Sequence, residues 1–190
     1  MSTDDLHLAA GAVSTLKLHV KWIPGMRVAS LRHFAPIGKK MSEAIDEVFG
    51  VALPSALQAI PLACDYPKSV SVLAWVRPSE TLWLSINDPR FDMLAARIPT
   101  TDGHFVDQTD GLCVISVTGE RSEAMFARIG LCDSLPDIGQ ARRGRMADIA
   151  VHTVRVSNQE TLLVVSREYM EHLINWIRVT ALDFGSFQSQ

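Results

Sequence analysis

The stretch SEAIDEVFGVALP begins at Ser42, and SEAMFARIGLCDSLP begins at Ser122, 80 residues further on. Each has Ser-Glu-Ala, an apolar pattern of helical spacing, a glycine and then Leu-Pro. A second pair lies at almost the same offset. VRPSETLWLSINDPRFDMLAARI starts at Val76 and VRVSNQETLLVVSREYMEHLINWI at Val154, 78 residues apart. Both read as a strand, a serine-containing turn, a Glu-Thr-Leu strand, a polar cap and a helix. Two matches at nearly one offset predict an internal duplication of a β-α-β-β-α unit. A β-rich unit of about 75 residues with one apolar sheet face buries that face poorly alone. Two copies pairing sheets or helices around a shared core solve the problem. The expected fold class is α+β with pseudo-twofold symmetry. The expected domains are a flexible tail over residues 1–20 and one domain over 21–185, with half-repeats at about 26–100 and 104–183.

Composition agrees with a folded globular chain. Of 190 residues 47% are apolar and 21% charged. The net charge of −3 argues against a general nucleic-acid binder, which carries a basic excess. The longest apolar run is too short to span a bilayer. The start, MSTDDLHLAAGAVSTLKLHV, lacks a basic segment followed by an apolar one, so it does not read as a secretory signal. Cys64, Cys113 and Cys132 are odd in number and widely spaced, which speaks for reduced, buried thiols in a cytoplasmic protein.

Strand signals are β-branched and aromatic runs bounded by turn residues. They cover MRVASLRHF from Met26, VSVLAWV from Val70, TLWLSI from Thr81, LCVISVT from Leu112, IAVHTVRV from Ile149 and TLLVVS from Thr161. Asp110-Gly111 between two candidate strands is a tight-hairpin signal, and Asp107 and Asp110 read as turn formers. Four helices alternate with the strands. The first runs from about Gly38 to Phe49 with Met41, Ala44, Ile45 and Val48 on one face, and Gly50 ends it. The second is capped by Asp88, with Pro89 at its first position. The third runs from about Glu120 to Ile129, with Ala124, Met125 and Ile129 inward. The fourth starts at Ser166 and turns Tyr169, Leu173, Trp176, Ile177 and Leu182 to one side.

The chemistry-bearing residues form no recognised catalytic pattern. None of the histidines His7, His19, His33, His104, His152 and His172 pairs with another at metal-site spacing. The nucleophile-elbow, dinucleotide and phosphate-loop patterns are absent. The most distinctive polar segment is DIGQARRGRMAD, with Arg142, Arg143 and Arg145 within four residues between the third helix and a strand. It reads as a solvated basic loop or as a loop docking to an acidic partner or an anion, since arginine binds carboxylates bidentately and is enriched at interfaces. A substrate carboxylate or a folate tail is a further possibility for it. Trp22, Trp75, Trp83 and Trp176 read as core by default, with Trp75 and Trp83 also placed for an interface. Trp22, in WIPGM, reads as part of a loop ahead of the first strand and as a candidate contact with a partner chain.

Three ordered segments carry a resemblance. They are SVLAWVRPSETLWLS, GLCVISVTGERSEAMFARIGLCDSLPDIGQARRGRMADIAVHTV and ETLLVVSREYMEHLINWIRVTALDFG. In order and spacing they resemble the gamma subunit of heterotetrameric sarcosine oxidase. The resemblance covers roughly residues 20–185, more loosely in the N-terminal third. It implies a fold like the folate-binding domain of the glycine-cleavage T protein. It also implies a noncatalytic structural subunit alongside alpha, beta and delta chains. Those chains would hold FAD, FMN, NAD, tetrahydrofolate and zinc, and the complex would oxidatively demethylate sarcosine or a related N-methyl amine, passing a one-carbon unit to tetrahydrofolate. No catalytic, cofactor or metal residue carries over to this chain. Trp22, Arg142, Arg143 and Arg145 are the candidate partner interface. The competing readings are a stand-alone folate-dependent transferase, and a module that binds folate or a small carboxylate through the arginine segment.

Overall fold

The computed structural model describes residues 13–15, 18–34, 36–63, 70–130 and 135–181. Among the described residues eleven strands and four α-helices follow one another. The strands are β1 (Val13–Thr15), β2 (Leu18–Trp22), β3 (Arg27–His33), β4 (Ala59–Pro61), β5 (Val70–Arg77), β6 (Glu80–Ile86), β7 (Gly103–Asp107), β8 (Leu112–Thr118), β9 (Gln140–Met146), β10 (Ile149–Arg155) and β11 (Glu160–Ser166). The helices are α1 (Lys39–Phe49) after β3, α2 (Arg90–Arg97) after β6, α3 (Ser122–Ile129) after β8 and α4 (Met170–Ala181) after β11. The α+β class and the six strong strand signals are as the sequence predicts. The β-α-β-β-α reading is one strand short in each half, because β4 is short and β9 carries three arginines.

The chain divides into two compact units. The first is Gly25–Asp110 with Gly139–Ala141; the second is Met1–Pro24, Gly111–Ile138 and Arg142–Gln190. The first holds a five-stranded sheet in the order β4-β5-β6-β3-β7, antiparallel throughout. The six-stranded sheet runs β1-β2-β8-β11-β10-β9, and the first two residues of β9 group with the first unit. The registers of the paired central strands are alike. Ser30 stands opposite Leu82 and Arg32 opposite Glu80 in one; Ser116 stands opposite Leu162 and Thr118 opposite Glu160 in the other.

Two expectations need correction. Asp110-Gly111 does not close a hairpin: β7 pairs with β3, while both flanks of β8 are taken by β2 and β11. Asp107 is nonetheless a turn former, because its Oδ1 accepts the Thr109 N–H at 2.9 Å. The tail expected over residues 1–20 ends too late. Val13–Thr15 pairs with Leu18–Val20, and Leu18 and Val20 are buried. Alternation in Leu18-His19-Val20-Lys21 is a half-buried strand signal hidden by the acidic start before it.

In the first unit α1 buries Met41, Ala44, Ile45 and Val48, as their spacing predicts, and Phe49 with them. Gly50 ends the helix in the left-handed region at φ 68°, where a side chain costs free energy. The helix start has no local cap. Asp102, far along the chain, supplies it: its Oδ2 accepts the Lys40 N–H at 3.1 Å and the Met41 N–H at 3.4 Å. Gly38 is required there, since a Cβ would collide with the Asp102 carboxylate. Asp88 caps α2 as expected, with Oδ1 accepting the Arg90 N–H at 3.0 Å. Burial pushes the Asp88 carboxyl up, but hydrogen bonds from Arg90 and Ser71 and the Arg90 charge outweigh it and hold it below the usual range.

Trp83 is fully buried among Phe49 (centroids 4.7 Å) and Phe91 (5.2 Å), and its Nε1–H donates to Ser71 Oγ at 2.8 Å. Phe105 meets Phe91 edge-on at 5.0 Å. Glu80 is the polar hub. It is 8% exposed, accepts the Ser30 hydroxyl at 2.5 Å and pairs with Arg77 at 2.6 Å and Arg32 at 3.2 Å. Burial raises its pKa, and the Ser30 hydrogen bond with the two arginine charges brings it below the ordinary carboxylate value. In the second unit Glu160 accepts the Ser116 hydroxyl at 2.9 Å. That unit's core gathers Ile115, Val117, Met125, Phe126, Leu163, Leu173 and Ile177 around β2, β8, β11, α3 and α4.

Candidate partner interface

The arginine segment is a strand, not a loop. Gln140–Met146 forms β9 at the end of the six-stranded order, beside β10. Two residues, Ala147 and Asp148, join the two strands, with φ of 46° and 65°. Such a loop keeps the strands in register because positive φ at both positions matches their twist. Alternation then sorts the arginines. Arg143 and Arg145 are exposed on one face, and Arg142, half-buried, belongs to the other. Arg145 donates from its guanidinium to the Asp148 carbonyl. Neither Arg143 nor Arg145 enters an ion pair among the described residues, so both retain cationic capacity for a partner.

Trp22 is the last residue of β2, opposite Ile115, rather than part of a loop. It is half-buried and packs against the second unit's core. The ladder runs one residue past it, with the Ile23 N–H donating to the Val114 carbonyl at 2.9 Å. The turn follows at Pro24 and Gly25. In the strand order β8, β11 and β10 separate β2 from β9. At about 4.8 Å per strand, Trp22 and the arginines stand about 19 Å apart across the sheet. They do not form one patch.

A second exposed surface, which the sequence reading placed in the core, lies on the fourth helix. The fourth helix opens with a 3₁₀ turn, Arg167–Tyr169, so its face is rotated from a wheel drawn at Ser166. Ser166 makes no side-chain cap. Met170, Leu173, Ile174, Ile177 and Ala181 point inward. Tyr169 and Trp176 point out, with Trp176 49% and Val179 62% exposed; Leu182 lies outside the described residues. His172, Asn175, Trp176 and Val179 line a shallow groove of about 270 Å³. His172 lies edge-on to Trp176 at 6.5 Å, and its Nε2 is 3.2 Å from the Ala147 carbonyl. A carbonyl only accepts, so Nε2 carries the proton there. His172 thus ties the apolar stripe to the turn that follows Arg145. Trp176 was detectable in principle, since His172, Trp176 and Val179 recur at i, i+4 and i+7.

Some expectations have plainer outcomes. In α3 Phe126 is buried and Ala124 only half so, a shift of the inward face by one position. Trp83 is core, and Trp75 is half-buried on β5. Cys113 is a buried free thiol, pushed up by burial against a smaller opposing effect of the Arg167 charge. Cys64, Cys132 and His7 lie outside the described residues. Among the described residues no group of three or more His, Cys, Asp or Glu side chains is placed to hold a metal ion. No described helix is long and apolar enough to cross a membrane.

No protein-family model matches the chain, and no curated protein matches it in sequence. Solved structures do match in shape. A chain of the heterotetrameric sarcosine oxidase from Corynebacterium sp. U-96 superposes with a TM-score of 0.76 at 18% identity, over 98% of this chain and 94% of that one. The glycine cleavage system aminomethyltransferase T of Bartonella henselae superposes with a TM-score of 0.67 at 12% identity, over 91% of this chain and 47% of that one. This chain therefore spans about half of the aminomethyltransferase and nearly all of the sarcosine oxidase chain. Both the arrangement of elements and these matches give the chain a glycine-cleavage T-protein-like fold.

Proposed function

We propose that this chain is the noncatalytic gamma subunit of a heterotetrameric, flavin-dependent sarcosine oxidase-like complex. The observation that carries the reading is the end-to-end match, 98% of one chain against 94% of the other, to a chain of a four-chain oxidase. A partner enzyme would oxidise sarcosine or a related N-methyl amine and pass a one-carbon unit to tetrahydrofolate. Alpha, beta and delta chains would hold FAD, FMN, NAD, tetrahydrofolate and zinc, and the complex would be cytoplasmic. This chain's part would be structural. Arg143 and Arg145 would meet an acidic partner surface, with Trp176 and Val179 as one separate apolar contact and Trp22 as another, while Arg142 belongs to the other face of the strand. Aromatic and arginine side chains are the groups that dominate such interfaces.

The fold is further read as an internal duplication with pseudo-twofold symmetry. Its support is the strand order. Taken from one end the two sheets run β2-β8-β11-β10-β9 and β7-β3-β6-β5-β4, and the registers at Glu80 and Glu160 correspond.

The test is to tag the chain in its native host, purify it gently, and record native mass and visible absorption. A species several times 20.9 kDa with flavin bands is expected. A colourless species of the chain's own mass would overturn the reading. The double substitution Arg143→Glu with Arg145→Glu should weaken co-purification about tenfold or more by placing like charges against the acidic partner.

A further inference from the structure

The first unit holds a groove that the subunit reading does not use. It has a volume of about 310 Å³, within the range of small-molecule sites. Leu53, Pro54, Ile37 and the half-buried Trp75 give it apolar walls; His33 and Arg77 supply polar groups. Its electrostatics are one-sided. Arg32 and Arg77 share one carboxylate, Glu80, which leaves one net positive charge beside the groove. Arg77 has five N–H donors and is half-exposed, so its contact with Glu80 leaves donors for a second anion. His33 Nδ1 donates to the Phe34 carbonyl at 2.9 Å, which assigns its tautomer and leaves Nε2 for a ligand.

Two backbone irregularities border the same groove. The register slips at Val76, so that Trp75 stands opposite Thr81 and Arg77 opposite Glu80. Bulges of this kind re-aim side chains and gather beside functional sites. The turn Ser55–Gln58, whose first two residues line the groove, holds Leu57 at φ 64°. A leucine in the left-handed region costs about 1 kcal/mol or more, and such strain collects at ligand sites.

We propose that this groove binds a small aromatic carboxylate, its ring against Trp75 and its carboxylate on Arg77. The planar apolar wall selects a ring, and the surplus guanidinium charge selects the carboxylate. All of its lining residues lie in the first unit, and none is among the residues that the subunit reading invokes.

The experiment is calorimetric titration of the full chain with benzoate and 2-naphthoate, and with the neutral amides benzamide and 2-naphthamide. The carboxylates should bind saturably and the amides at least about tenfold more weakly. Arg77→Gln should weaken the carboxylates about tenfold or more, because a charge-assisted hydrogen bond is lost. Lys21→Gln, at an exposed position of β2, should leave binding unchanged. Should Arg77→Gln fail to fold, Ala56→Trp fills the groove from an exposed turn position and should abolish binding with Arg77 intact. Equal binding of acids and amides, no saturable binding of either acid, or full binding by the Ala56→Trp protein overturns the proposal. None of these outcomes bears on co-purification with a flavoprotein.

Discussion

Glu80 shows how a single buried carboxylate is kept ionised. Three groups meet it, Ser30, Arg32 and Arg77, and its pKa falls despite burial. A carboxyl whose folded pKa lies below its unfolded value contributes stability in full above about pH 5. That contribution is lost as the pH drops below about 4 and through the folded pKa. Glu80→Gln should cost about 1 kcal/mol at pH 7, since the buried Ser30 hydroxyl and the half-exposed Arg32 and Arg77 lose their charged acceptor. The difference between wild type and variant should shrink toward pH 3, and urea midpoints at pH 7, 4 and 3 measure it. A constant gap across that range would show that Glu80 acts through packing alone. This hub was not legible in the sequence. Ser30 and Arg32 are distant along the chain and reach Glu80 only because β3 pairs with β6. Arg77 and Glu80 flank the RPSE turn, and their spacing alone gives no hint of burial.

At the scale of elements, legibility followed the strength of local signals. β5, β6, β8 and β11 hold continuous apolar runs because both of their faces are buried, as Val72 and Leu73, Leu82 and Trp83, Val114 and Ile115, and Leu162 and Leu163 show. The strand β9 was hidden because its alternation is written in arginines and a glycine rather than apolar residues. The phase of α4 was misread because a 3₁₀ turn precedes it. Caps supplied from elsewhere in the chain were invisible for the same reason as the Glu80 hub. Asp102→Ala should therefore destabilise α1 by about 1 kcal/mol, the usual worth of an N-cap, although Asp102 precedes no helix. The β9–β10 turn offers the opposite sign. Ala147→Asn together with Asp148→Gly suits two positive-φ positions and should raise stability by about 1 kcal/mol. Thermal melts of each variant check both, and a destabilised turn variant would mean that the Ala147 contact to the core outweighs backbone strain.

For the whole molecule, the feature that no local signal announces is where the leading strands go. β2 stands just before β3 in the chain yet pairs with β8; β7 stands just before β8 yet pairs with β3. Local reasoning favours a β7–β8 hairpin at Asp110-Gly111, and topology overrules it. Removal of residues 1–22 should leave one edge of β8 unpaired and strip Leu18 and Val20 from their core, giving an insoluble or partly unfolded second unit, whereas Lys21→Ala should be neutral. Circular dichroism and solubility of the two proteins decide the matter. The same arrangement fixes an order of events during synthesis. Nearly half the chain lies between β2 and its partner β8. The β-hairpins and helices of the first unit emerge from the ribosome and close over short loops while β2 has only the three-residue β1 to pair with. Its apolar face must wait in the open until residue 118 is made, and the long loop it then closes makes this the slowest and most aggregation-prone moment in the life of the chain.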